Sequence, residues 1–135
     1  MRRKTAKPAS TAPAKPKLPS EDDICKEFTN MVNAYVQVGL LQEYDVFHVN
    51  NGEHSGGRIA RAIAGARARA MGQRKGVADY ILFGKHYMEI KTQTGRQSDD
   101  QKAFEKWCAK RGLTYRLCRT AQEAMDYVLQ LERGI

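Results

Sequence analysis

The stretch VADYILFGKHYMEIKT (77–92) decides the fold. VADYILF (77–83) and HYMEIKT (86–92) are each a strand's length, rich in β-branched and aromatic residues, and a turn around Gly84 separates them. Three charged side chains interrupt the pair: Asp79 on the first strand, Glu89 and Lys91 on the second. Ionised groups in central strands are costly unless paired, hydrogen-bonded or bound to a metal. Glu89 and Lys91 are two residues apart and therefore project from one face. Two carboxylates brought together by adjacent strands can hold a hard divalent cation through oxygen. A lysine beside them can position a water or stabilise charge on a phosphate. The competing reading is a buried Glu89–Lys91 ion pair with Asp79 exposed at a strand end.

Hairpin geometry sets a condition on the metal reading. A two-residue loop at Gly84-Lys85 makes Phe83 oppose His86 and Asp79 oppose Ile90, which turns Asp79 away from Glu89. A cation shared by the two acids needs an odd-length loop, a bulge or a strong twist at the start of the first strand.

Working outward, Ser20 and Asp23 form an S-x-x-D helix start. Apolar residues follow at Ile24, Phe28, Met31, Val32 and Tyr35, and the helix should end near Gly39. YDVFHVN (44–50) alternates as a strand does, and GGRIARAIAGARARAMG (56–72) reads as a helix with a small-residue face and projecting arginines. Ser98–Gln101 is a capping box opening a helix with Phe104, Trp107 and Cys108 inward, and Gly112 is placed to end it. LTYRLC (113–118) is a further strand. Thr120–Glu123 is a second capping box before a helix carrying Ala124, Met125, Val128 and Leu129. The order α-β-α-β-β-α-β-α predicts an α/β fold with a mixed central sheet flanked by helices.

The chain has 135 residues and a net charge of +8, unevenly spread. Residues 1–19 hold six basic side chains, all four prolines and no acid, and read as a flexible cationic tail ahead of a domain over 20–135. Residues 54–78 hold six more (Arg58, Arg61, Arg67, Arg69, Arg74, Lys75) and again no acid. The remainder carries 11 basic against 15 acidic side chains, so the positive charge is gathered where a polyanion would bind. No run nears the roughly 18 apolar residues of a spanning helix, and no apolar segment follows the N-terminal basic residues as in a secretory signal. Three widely spaced cysteines (Cys25, Cys108, Cys118) argue against a disulfide framework or zinc ribbon and for a cytoplasmic setting. Cys108, Cys118, Trp107 and Tyr115 read as core. His48, His54 and His86 lack metal-ligand spacing, and no phosphate-binding glycine motif is present. NNGEHSGGR (50–58) reads as a surface turn.

The run GQRKGVADYILFGKHYMEIKTQTGRQSDDQKAFEKWCAKRG (72–112) resembles the VRR-NUC family, a branch of the PD-(D/E)XK nucleases, and in particular its standalone virus- or phage-type members. K-G-V-A-D, E-I-K and G-R-Q-S-D-D-Q carry the likeness, in that order; Ala78 stands where the family commonly has proline. The resemblance implies a PD-(D/E)XK nuclease-like fold and Mg²⁺- or Mn²⁺-dependent hydrolysis of DNA phosphodiesters. It implies Asp79, Glu89 and the backbone carbonyl of Ile90 as metal ligands, Lys91 as the group orienting water or phosphate, and Gln101 as a supporting residue. It also implies an acid on the first helix. Helical angles favour Glu21, which lies near the centre of the inward stripe, while Glu27 remains the alternative. Four-way-junction DNA and a homodimer are the expected substrate and state, the latter giving two sites for two opposed strands. A non-catalytic DNA-binding module, or a nuclease of flaps, duplex ends or RNA, are the alternatives.

Overall fold

The computed structural model describes residues 17–49 and 56–134. Most of the basic tail, residues 1–16, and the tip of the turn at 50–55 lie outside them, so the tail and His54 are not described. The elements run α1 (Glu21–Gln37), β1 (Val46–His48), α2 (Arg58–Ala70), β2 (Tyr80–Leu82), β3 (His86–Ile90), α3 (Asp99–Lys110), β4 (Thr114–Cys118) and α4 (Ala121–Glu132), the order expected from the sequence. The strands are shorter than their sequence patterns. Val77, Ala78, Asp79 and Lys91 fall just outside the hydrogen-bonded ladder that defines them.

Local chemistry starts α1, α3 and α4, while α2 begins at Gly57 without a side-chain cap. The Ser20 hydroxyl accepts from the Asp23 N–H while the Asp23 carboxylate accepts from the Ser20 N–H, both at 3.1 Å, and these bonds hold the Asp23 pKa below its ordinary value. Ser98 and Gln101 repeat the arrangement at α3. At α4 the box is only half built: Thr120 accepts from the Glu123 N–H, but the Glu123 carboxylate turns outward to the Arg119 N–H at 3.1 Å. After α1 the chain reverses through Gly39 at φ 81°.

The sheet runs β1-β2-β3-β4, with β1–β2 and β2–β3 antiparallel and β3–β4 parallel, so α3 supplies the crossover that a parallel pair requires. One face packs on α1 and α4. Phe28, Leu82, Met88, Ile90, Met125 and Val128 are buried there, and Cys118 with them. The other face packs on α3 through edge-to-face contacts of Tyr87 with Phe104 and Trp107. Trp107 is not core, contrary to the expectation from its sequence position. It caps this aromatic cluster from outside and stays 43% exposed. Tyr115 is half-buried, its hydroxyl accepting from the Gln97 amide at 3.1 Å.

The β2–β3 connection satisfies the parity condition. Leu82 pairs with His86, leaving a three-residue loop, Phe83-Gly84-Lys85. Phe83 takes φ 51° and Gly84 φ 71°; the left-handed turn costs a non-glycine residue roughly 1–2 kcal/mol. Its amide donates to the Asp45 carbonyl at 2.7 Å and its ring packs on the core, which offsets that cost. Tyr80 pairs with Met88, so the register continued one residue outward sets Asp79 opposite Glu89.

Candidate active site

Four elements converge at the open end of the β2–β3 ribbon. Asp79 stands just before β2, Glu89 near the end of β3, Lys91 one residue past it, and Gln101 in the first turn of α3. The Asp79 carboxylate accepts from the Ile90 N–H at 2.7 Å, which pins it to the neighbouring strand. Glu89 is 1% exposed. One of its oxygens, Oε1, accepts from the Gln101 side-chain amide at 2.8 Å; the other, Oε2, is buried and accepts no hydrogen bond. Lys91 is buried, and its ammonium lies 3.2 Å from Glu21 at the start of α1. Glu21, not Glu27, is thus the helix-one acid that the fold brings to Lys91; Glu27 lines a different cavity with Arg119 and Gln122.

Two uses of Gln101 that look exclusive in sequence coexist. Its carbonyl oxygen accepts from the Ser98 N–H at 2.9 Å, closing the capping box, while its amide nitrogen donates to Glu89. The cap therefore fixes the rotamer that supports the acid.

The electrostatics are those of an anion-crowded pocket. Burial first, and then the charge and hydrogen bonding of Asp79, push the Glu89 carboxyl up to about 8, with the Lys91 charge pulling the other way. A buried carboxyl whose dominant charged neighbour is a second carboxylate fits a hard cation. Among the described residues no group of three or more His, Cys, Asp and Glu side chains is arranged to hold a metal ion. An ion here would rest on Asp79 and Glu89 with the Ile90 carbonyl, and would complete its shell from water or phosphate. That suits Mg²⁺ or Mn²⁺, which are commonly held by one or two carboxylates.

Two supporting residues escape a reading of the sequence for charge and pattern. Gly76 adopts φ 81°, and a Cβ there would sit 2.3 Å from the Asp100 carbonyl oxygen and 2.8 Å from the Gln101 nitrogen. The chain leading into Asp79 thus lies directly on the first turn of α3, a contact only glycine allows. K-G-V-A-D contains the signal, but its meaning depends on α3, more than 20 residues away. Arg119 donates one guanidinium nitrogen to the carbonyls of Thr92 at 2.6 Å and Gly95 at 2.8 Å, clamping the loop that follows Lys91.

Arg58, Arg61, Arg67 and Arg69 on α2, with Arg74 and Lys75 after it, are all exposed. No residue of α2 is buried, and Ile59 and Ile63 are 77% and 59% exposed. The helix is a cationic element on the segment that returns to Gly76 and Asp79. Burial raises the pKa of all three cysteines, Cys25 to about 11 and Cys118 to about 12, so none is poised as a thiolate. No helix among the described residues is long and apolar enough to cross a membrane.

No protein-family model matches this chain, and no curated protein matches it. A solved structure named "VRR_NUC domain protein" is similar over 84% of this chain and 88% of its own, with a TM-score of 0.60 and 17% sequence identity. The mixed four-stranded sheet flanked by helices is therefore the fold of a VRR_NUC, nuclease-like domain.

Proposed function

We propose that the chain is a metal-dependent endonuclease that hydrolyses DNA phosphodiesters at Asp79, Glu89 and Lys91. The observation that carries this is the buried Glu89 carboxyl set against Asp79, where burial and the second acid push its pKa up to about 8. Among the described residues the ion pair of Lys91 is with Glu21 and not with Glu89, and burial together with the charge of Asp79 outweighs the pull of Lys91 on the Glu89 carboxyl.

When bound, Mg²⁺ or Mn²⁺ supplies Lewis-acid polarisation of the phosphate and acidifies water. Asp79 and Glu89, with the Ile90 carbonyl, would hold it. Gln101 fixes the Glu89 carboxyl through Oε1 and so would orient it toward the ion. Lys91, steadied by Glu21, keeps a positive charge beside these acids, where it orients the attacking water and stabilises negative charge building on the phosphate. The pair with Glu21 is half exposed on the acid's side, so its contribution is to aim more than to stability. The exposed arginines of α2, with Arg74 and Lys75, take the DNA backbone away from the cut by counterion release.

Branched DNA, in particular a four-way junction, is the substrate, and a homodimer is the active state. Two opposed strands of a symmetric junction call for two sites related by a two-fold axis. The test is cleavage of labelled four-way junction, flap, linear duplex and RNA with Mg²⁺, with Mn²⁺ and with chelator. Metal-dependent cutting of the junction, abolished in Asp79→Ala while DNA binding persists, is expected. Cleavage surviving in Asp79→Ala, or absent from every substrate in both metals, overturns the assignment.

A further inference from the structure

Beside the carboxylates lies a second feature that their chemistry does not use. A shallow, solvent-open cavity of about 410 Å³ lies between α1 and the ends of β1 and β2, lined by Asp22, Lys26, Thr29, Asn30, His48 and Tyr80. It adjoins the site through the chain itself. Asp22 follows Glu21, Tyr80 follows Asp79, and the Val49 N–H next to His48 donates to the Asp79 carbonyl at 2.7 Å. The charges of Asp79, Asp22 and Glu21 all reach the Cys25 thiol on the cavity wall. Tyr80 and Asp79 point to opposite faces of one strand end, so the cavity sits around that end from the acids.

Its lining suits a planar heterocycle. Tyr80 forms a buried aromatic floor, its hydroxyl tied to Thr29 at 3.3 Å and to the Cys25 carbonyl at 3.4 Å. The His48 ring stands edge-to-face on Tyr80, 5.1 Å between centroids at 84°, and is itself exposed. The imidazole is thus packed against Tyr80 while remaining exposed to a ligand that enters from solvent. Around it are an acceptor-only carboxylate (Asp22), a donor-only ammonium (Lys26) and an amide that does both (Asn30), the groups that read a Watson–Crick edge. The size lies within the roughly 300–1,000 Å³ of small-ligand sites.

We propose that this cavity receives one unpaired nucleobase of the strand being cut, stacked on His48 with its edge against Asn30 and Asp22. This rests on the nuclease reading above and gives it a source of selectivity. Withdrawing a base from intact duplex costs unstacking and unpairing, a cost that is least where the base is already unpaired. The cavity therefore favours DNA at a branch point or in a single strand without reading any sequence in a groove.

The experiment uses the full chain with Mg²⁺ and a four-way junction whose cut position has been mapped. Single abasic sites are placed at each nucleotide flanking the cut, and His48→Ala and Asn30→Ala are compared with the unmodified protein. One flanking position is expected to lower kcat/KM by about tenfold when its base is removed, within the range that loss of one stacked base gives. His48→Ala should lose about as much on the intact junction and become indifferent to the abasic site at that position, because the two changes delete one contact. His48 is exposed, so the substitution does not threaten the core. If the protein cuts the junction but no abasic position matters, or His48→Ala stays as sensitive as the unmodified protein, the base pocket is refuted and the nuclease reading stands. If the protein cuts nothing, both fall.

Discussion

Glu89→Gln should make the metal-free protein more stable at alkaline pH, although it removes a residue from the centre of the site. In the native chain the Glu89 carboxyl titrates at about 8, against an ordinary value of 4.5 that it regains on unfolding. Between those two values the native state holds a proton that the unfolded chain has lost. Unfolding free energy therefore falls as pH rises. Glu89 costs nothing below pH 4.5, and its penalty grows across the window and is complete above pH 8. At 1.36 kcal/mol per pKa unit the full penalty is at most about 5 kcal/mol. Glutamine has the same shape and no charge to lose. Its carbonyl can still accept from Gln101 and its amide can donate toward Asp79.

The assay is thermal unfolding in chelator from pH 4.5 to 9.5, with and without added Mg²⁺. Near pH 4.5 the two proteins should melt together. By pH 9 the Gln variant should melt higher, at roughly 4 °C for each kcal/mol gained in a domain of this size. Added Mg²⁺ should raise the melting temperature of the unmodified protein at pH 9 and leave the variant unmoved, since binding to the native state alone stabilises it by mass action. Two melting curves that stay parallel across the whole range would refute the buried, uncompensated acid, and with it the physical reason for a cation there.

Three further outcomes are expected. Gln101→Glu keeps a good capping residue at the third position of α3 but sets a carboxylate where an amide 2.8 Å away supports Glu89; cleavage should collapse and the Glu89 carboxyl should titrate still higher, and near-normal turnover would show that the amide is dispensable. Gly76→Ala forces a left-handed alanine and a Cβ 2.3 Å from the Asp100 carbonyl oxygen; unfolding free energy should drop by about 2 kcal/mol or more, with turnover lost as the first turn of α3 shifts, and a variant of unchanged stability would place the contact elsewhere. Replacing Arg67 and Arg69 together by Ala should lower the slope of log K against log salt for duplex DNA by about 2, near one phosphate each; an unchanged slope would clear both of backbone contact.

What was legible in the sequence follows from the range over which each rule acts. Three of the four helix starts are readable because a cap is a local event: Ser20 with Asp23, Ser98 with Gln101 and Thr120 with the Glu123 amide are contacts three residues apart, whereas Gly57 opens α2 with no side-chain cap. The buried stripe of α1 was readable because a helix repeats its face. Trp107 was misplaced because helical periodicity identifies the side of α3 that meets the sheet but not where the sheet stops; the ring reaches Tyr87 and Phe104 and then runs out of cover. Gly76 and Arg119 act across the fold, on α3 and on the loop after Lys91, and no local pattern announces such a partner. The hairpin lies between these cases. Nothing in FGK marks Phe83 for a left-handed conformation, and turn preferences would assign that duty to Gly84 alone. Yet chemistry constrains it: two acids able to share one cation must face the same way, and only an odd loop or a local distortion permits that. Phe83, Gly84 and Lys85 supply the odd loop, with Asp45 holding the Phe83 amide in a turn that its side chain disfavours. A strained residue is retained at the far end of the ribbon because straightening the turn to two residues would flip Asp79 to the face of Tyr80 and leave Glu89 alone in the core.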